Sequence, residues 1–112
     1  MQLDMEHRQD TLVVRLGGEL DLGVADKLRL TLDKELFQGK IRHLIINLSR
    51  VTFMDSSGLG VILGRYKRLT QQGGKVVLVG AQPPVKRVLE LSGLLQIMED
   101  FPDEAKALSK IV

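Results

Sequence analysis

Residues 44–79, LIINLSRVTFMDSSGLGVILGRYKRLTQQGGKVVLV, decide how the chain is built. Leu44-Ile45-Ile46-Asn47-Leu48 is β-rich and nearly all apolar, which predicts a central strand covered on both faces. Leu59, Ile62, Leu63, Tyr66 and Leu69 recur at helical spacing and predict a buried helix stripe, with Arg65, Lys67 and Arg68 toward solvent. Gly73-Gly74 ends that helix, and Val76 to Val79 reads as the next buried strand. Strand, helix, strand in this order implies a parallel pair joined by a right-handed crossover.

Upstream, Leu12, Val14 and Leu16 alternate with Val13 and Arg15, the period-2 pattern of a half-buried strand that Gly17-Gly18 would end. Residues 3 to 8 read as a weaker strand, with Gln9-Asp10 as the hairpin turn. Ala25, Leu28, Leu32 and Leu36 predict a helix over residues 22–37, stopped by Gly39. Downstream, Pro83-Pro84 opens a helix with Val85, Val88 and Leu89 inward, closed by Gly93. Residues 95 to 98 fit a short edge strand, and Pro102-Asp103-Glu104 starts a last helix carrying Ala105, Leu108 and Ile111. The predicted architecture is one α/β domain over residues 1–112: a mixed, mostly parallel sheet with an N-terminal hairpin and helices packed on it.

Composition narrows the function classes. The chain has 112 residues, enough to bury roughly two-thirds of its unfolded surface as one domain without staples. It has no Cys, so there is no disulfide framework, zinc ribbon or thiol nucleophile. A formal charge of +2 and few aromatics (three Phe, one Tyr, no Trp) argue against a nucleic-acid partner. No apolar run approaches the ~20 residues that span a bilayer, and Met1-Gln2-Leu3-Asp4-Met5-Glu6 is unlike a signal peptide. The expectation is a soluble, cytoplasmic protein that is monomeric when free.

In such a sheet, ligands and partners meet the loops beyond the carboxyl ends of the strands. Gly18-Glu19-Leu20-Asp21, Met54-Asp55-Ser56-Ser57-Gly58 and Gly80-Ala81-Gln82 occupy those places. The middle loop puts a carboxylate and two hydroxyls at a helix start, where backbone N–H groups favour negative charge. One such residue suffices for an N-cap, and capping is the plain reading of Asp55 or a neighbouring Ser. A spare hydroxyl is then either decorative or a phosphoacceptor, and a phosphate there would add ~1.5–2 negative charges to a surface. Gly60 and Gly64 weaken a helix, which close packing at Gly64 and close partner approach at Gly58 and Gly60 would offset.

Enzyme readings fare poorly. Gly58, Gly60 and Gly64 do not spell a dinucleotide fingerprint, and Gly73-Gly74-Lys75 lacks the rest of a phosphate-binding loop. A Ser57–His43 pair is separated by the strand between them, roughly 17 Å for five residues. His7 is the one other histidine, too few for a multi-histidine metal site. Glu19 and Asp21 read as solvated surface carboxylates before they read as an acid pair. Lys86 and Arg87 fit the wet face of a helix, and Phe53 and Met54 fit core or loop anchors.

The 13 residues Asp55-Ser56-Ser57-Gly58-Leu59-Gly60-Val61-Ile62-Leu63-Gly64-Arg65-Tyr66-Lys67 closely resemble the central motif of anti-sigma factor antagonists in the STAS domain family, above all its sporulation members. Gly18-Glu19-Leu20-Asp21 matches the family's first loop, and the order of elements agrees over nearly the whole chain. The resemblance implies a partner-switching protein that controls sporulation transcription. Its unphosphorylated form would bind a nucleotide-bound anti-sigma factor, itself a serine kinase, and so release the sigma factor. Phosphorylation would fall on Ser57 and a serine phosphatase would reverse it. The nucleotide would belong to the partner, leaving this chain no cofactor, no metal and no catalytic residue of its own. The interface expected from the resemblance comprises Glu19, Asp21, Asp55, Ser56, Ser57, Gly58, Leu59 and Gly60, and the Gly80-Ala81-Gln82 loop is a further candidate. Asp55 would either orient the Ser57 hydroxyl or cap the helix, and Ser56 would turn toward capping or packing. A small-molecule-binding STAS domain and a weak nucleotide hydrolase are the rival readings.

Overall fold

The computed structural model describes residues 1–111. Five strands lie in the spatial order β1-β2-β3-β4-β5: β1 Gln2–Arg8, β2 Thr11–Leu20, β3 His43–Met54, β4 Val76–Val79 and β5 Asp100–Phe101. β1 pairs with β2 as the expected antiparallel hairpin, and all other neighbours are parallel. The helices are α1 Leu22–Gln38, α2 Ser56–Gln71, α3 Pro83–Leu91 and α4 Glu104–Ile111. Successive crossovers step in one direction across the sheet, so α1, α2 and α3 share a face. There Ala25, Leu28, Leu32 and Leu36 of α1 meet Leu12, Val14, Leu16, Leu44, Ile46 and Leu48 of the sheet. Leu28 and Leu32 are each 1% exposed, a burial worth about 1.5–3 kcal/mol per side chain.

The opposite face is smaller. Val13, Ile45, Val77, Val79 and Phe101 pack under Ala107 and Ile111 of α4. Beside them, the Arg15 guanidinium donates from Nε and Nη2 to both carboxylate oxygens of Glu104, at 2.8 and 2.9 Å. It also donates to Asp4 and Glu6 of β1, each at 2.8 Å, and Asn47 Nδ2 donates to Glu104 at 2.7 Å. The Arg15 hydrogen bonds hold the Glu104 carboxyl below the ordinary carboxylate range.

Several boundaries differ from expectation, and the differences matter for the site. β2 does not end at Gly17-Gly18; it continues to Leu20 through register shifts on either side of those glycines. Gly18 supplies a φ of +86° for this irregularity, which a side chain would resist. β3 likewise runs past Leu48 to Met54, pairing Phe53 with Glu19 and Met54 with Leu20. Ser49, Arg50, Thr52 and Phe53 are exposed there, so the extension lacks the apolar run that marks its first half.

On α2 the buried stripe is Gly58, Val61, Ile62, Arg65 and Leu69, while Leu59, Leu63 and Tyr66 are half-buried. Arg65 therefore points inward rather than to solvent, and Arg68 lies over the Phe37 ring at 3.4 Å. The segment 95–98 is no strand. Leu94 and Met98 both enter the core through a 3-10 turn at Leu94–Gln96, and Asp100–Phe101 takes the sheet edge beside Leu78 and Val79. On α4 the inward residues are Ala107 and Ile111 with Leu108 half-buried, whereas Ala105 is exposed. Val88 of α3 is half-buried.

Candidate functional site

The ends of β2 and β3 lie side by side, and each delivers an aspartate that caps the next helix. Asp21 Oδ1 accepts from the Gly23 amide at 3.0 Å at the start of α1. Asp55 Oδ1 accepts from the Ser57 and Gly58 amides, at 2.8 and 3.3 Å, at the start of α2. The two ends are also stitched together, because the Asp55 amide donates to the Leu20 carbonyl at 3.3 Å. Of the two roles open to Asp55, capping is the one its hydrogen bonds perform. Ser56 is exposed and neither caps nor packs, while Ser57 is half-buried.

The three glycines of α2 divide differently from expectation. A Cβ on Gly58 would stand 2.7 Å from the Leu20 carbonyl oxygen and 2.9 Å from Met54 Cγ. Gly58 is thus a packing glycine that lets α2 settle on the joined ends of β2 and β3, rather than a place of partner approach. Gly60 is exposed, and a Cβ there would meet nothing within 4 Å. Gly64 also has open space, so close packing does not explain it.

Gly60 and Ser57 share a groove of about 250 Å³ with Val61 of α2 and Leu22, Ala25, Asp26 and Arg29 of α1. Leu22 is 78% exposed on its rim, and Phe53, paired with Glu19 at the strand ends, is 49% exposed. Further along, Arg65 Nε lies 3.2 Å from Asp33 Oδ1 and ties α2 to α1. The pair is buried with poor direction: Asp33 Oδ1, Arg65 Nε and Arg65 Nη1 lack hydrogen-bond partners. Burial pushes the Arg65 guanidinium below its ordinary value, against the pull of Asp33. This pair escaped the sequence reading, although Arg65 sits four residues from both Val61 and Leu69, the spacing of the buried stripe.

Of the eight expected interface residues, Glu19, Ser56 and Gly60 are exposed, Asp21, Asp55, Ser57 and Leu59 are half-buried, and Gly58 is buried. Leu59 rests against the main core. The Gly80-Ala81-Gln82 loop takes no part in the groove; Gln82 Nε2 donates to the Ser49 carbonyl at 2.6 Å, and the Ala81 amide donates to Asp100 at 3.3 Å.

His43 stands at the opposite end of β3 from Ser57, with 12 residues in the strand rather than the five assumed from sequence. Its Nδ1 accepts from the Lys75 amide at 3.0 Å, which fixes a neutral ring, and desolvation lowers its pKa. It has no route to Ser57. Among the described residues no three His, Asp or Glu side chains gather as a metal site. The groove beside Ser57 is also smaller than the ~300–1,000 Å³ usual for small-molecule pockets, and shaped as a seam between helices. No helix of the described residues is long and apolar enough to cross a membrane.

The STAS domain model matches residues 2–107. The anti-sigma F factor antagonist of Paenibacillus polymyxa is 43% identical over 111 residues, covering 99% of this chain and 95% of that protein. The solved structure of the anti-sigma factor antagonist SpoIIAA in its unphosphorylated form superposes with a TM-score of 0.87 at 35% identity, covering 98% and 96% of the two chains. That of the Bacillus cell fate determinant SpoIIAA in its phosphorylated form gives 0.79 at 34% identity, covering 99% and 100%. Both superpositions span nearly the whole of this chain, so they take in its five-stranded sheet and the segment around Ser57. The chain belongs to the STAS domain family, in the branch of the anti-sigma factor antagonists.

Proposed function

We propose that this protein is an anti-sigma factor antagonist whose partner binding is switched by phosphorylation of Ser57. In the unmodified form Glu19, Asp21, Asp55, Ser56, Ser57, Gly58, Leu59 and Gly60 form or support the surface that meets a nucleotide-bound anti-sigma factor. The sigma factor held by that partner is thereby released. The partner acts as the serine kinase, a serine phosphatase restores the unmodified state, and the transcription so controlled belongs to sporulation.

The observation that carries this reading is the placement of Ser57: a half-buried serine at the head of α2, lining one groove with an open Gly60 and an exposed Leu22. A neutral hydroxyl there leaves a shallow apolar-rimmed seam for a partner. A phosphate adds ~1.5–2 negative charges next to Asp55 and Asp26, and an interface closing over it has to desolvate them. Each 1.4 kcal/mol of that cost is about a tenfold loss of affinity. Asp55 supports the site by capping: it holds the first turn of α2, and with it Ser57, in place.

Incubation with the anti-sigma kinase and ATP, followed by intact-mass analysis and peptide mapping, tests the assignment. One phosphate on Ser57, absent from Ser57→Ala and retained in Ser56→Ala, is the expected result. Modification of Ser56 alone, or none at all, refutes it.

A further inference from the structure

The groove beside Ser57 holds one feature that the switch itself does not require. Arg29 is the one cation among its lining residues. It pairs with Asp26 at 3.5 Å, longer than the ~2.7–2.9 Å of a strong charge-assisted hydrogen bond. The Asp26 side chain is 92% exposed and that of Arg29 is 44% exposed, so water screens the pair and holds it weakly. Arg29 is therefore available to a better anion.

Geometry says which anion it meets. α1 and α2 both run back from parallel strands on one face of the sheet, so they are parallel to each other. Asp33 of α1 meets Arg65 of α2. One turn back toward the N-termini, Arg29 comes level with Val61, and a further turn, about 5.4 Å, leads to Ser57. Long side chains on a helix lean toward its N-terminus, and Arg29 does so, its Nη2 reaching back to Asp26 in the groove that Ser57 also lines. Gly60 lines the same groove with no side chain of its own, and a Cβ there would find open space.

We propose that Arg29 receives the phosphate of phosphorylated Ser57 across the α1–α2 groove, so that modification closes the seam as well as charging it. This inference rests on the assignment of Ser57 as the phosphoacceptor. Arginine suits the task because its planar fork donates two N–H groups to one phosphate. The phosphate, with ~1.5–2 charges, outcompetes the single charge of solvent-exposed Asp26. Asp26, the two capping residues Asp21 and Asp55, and Asp33 one turn along α1 are the carboxylates on these two helices that oppose it, and Arg65, close enough to repel Arg29, is the neighbouring cation of α2. The modified groove is then occupied by its own ion pair, and a partner has to break that pair before it can enter.

The test is a ³¹P NMR pH titration of the full-length protein with phosphoserine built in at position 57 during translation. The wild-type background is compared with Arg29→Ala, Arg29→Lys and the distant control Lys86→Ala. Arg29→Ala should raise the second phosphate pKa by about 0.3–0.7 unit, the size expected of a partly exposed pair. Arg29→Lys should recover part of the shift, and Lys86→Ala should leave the titration unchanged. Identical titrations for wild type and Arg29→Ala overturn the contact, and so does an equal shift from Lys86→Ala, which would make it an effect of net charge. Because the phosphate is installed without a kinase, this result is separate from the peptide map. A missing Ser57 phosphate in the map defeats the proposed function, whereas an unmoved titration defeats the role of Arg29 alone.

Discussion

Two clusters of charge sit on opposite faces of the sheet and are built differently. Under α4, Asp4, Glu6 and Glu104 all converge on Arg15, and Asn47 adds another donor to Glu104. At the heads of α1 and α2, Asp21 and Asp55 are answered by backbone amides, and Asp26 of α1 has a loose partner in Arg29. The first cluster closes on itself and fastens α4 and β1 to the sheet. The second leaves a groove, an accessible serine and an underused cation. Carboxylates thus serve as fasteners where side-chain donors surround them, and at Asp21 and Asp55 as helix caps that frame the candidate site.

The largest effect expected to break this comparison comes from the packing glycine of the site. Gly58→Val places a branched side chain against the Leu20 carbonyl and Met54, and should cost about 2–3 kcal/mol of stability. Chemical denaturation measures it, and an unchanged midpoint would show that α2 does not need that close approach. Next is the fastener. Arg15→Met leaves three carboxylates facing one another without their cation and should cost about 1–2 kcal/mol.

The same cluster fixes a pH dependence. Glu104 has a lowered pKa in the folded state, so its contribution is present above the unfolded carboxyl value near 4.5. That contribution is lost as pH falls through the lower folded value. Melting temperatures of wild type and Glu104→Gln should therefore converge below about pH 4.5. A gap that persists undiminished would mean that Glu104 acts by shape and not by charge.

These fasteners also show which parts of the fold can be read from sequence. The apolar runs of β2, β3 and β4, the stripe of α1 and the capped start of α2 are local patterns, and each appears where its period places it. Arg15–Glu104 and Asp33–Arg65 join residues far apart in the chain, and no local period announces them. The second half of β3 was hidden because its residues are mostly polar or exposed, although it brings Glu19 and Leu20 beside Phe53 and Met54. Residues 95–98 carry the apolar content of a short strand, but Met98 is buried together with Leu94, four residues before it, which is the spacing of a helical turn. For the candidate site, the residue types were legible but their division of labour was not. Only geometry separates Gly58, pressed against the strand ends, from Gly60, open to the groove.

Smaller effects sharpen the contrast. Asp55→Ala removes the cap of two amides and should cost about 1 kcal/mol. Gly60→Ala should act in the opposite sense from Gly58→Val, raising stability by about 0.5–1 kcal/mol through helix propensity. It should weaken anti-sigma factor binding at the same time, because the added methyl enters the groove. Calorimetry of the complex, read beside thermal melts, separates the two consequences. Equal affinity for Gly60→Ala and wild type would move the interface away from this helix turn.

The central claim is that Ser57 carries the switch, and a direct affinity comparison tests it. Titration calorimetry would use the ADP-loaded anti-sigma factor against the unmodified protein and the protein carrying phosphoserine at position 57. A loss of at least about 100-fold on modification, equivalent to about 2.8 kcal/mol, is the predicted result. Equal affinities for the two forms would contradict it.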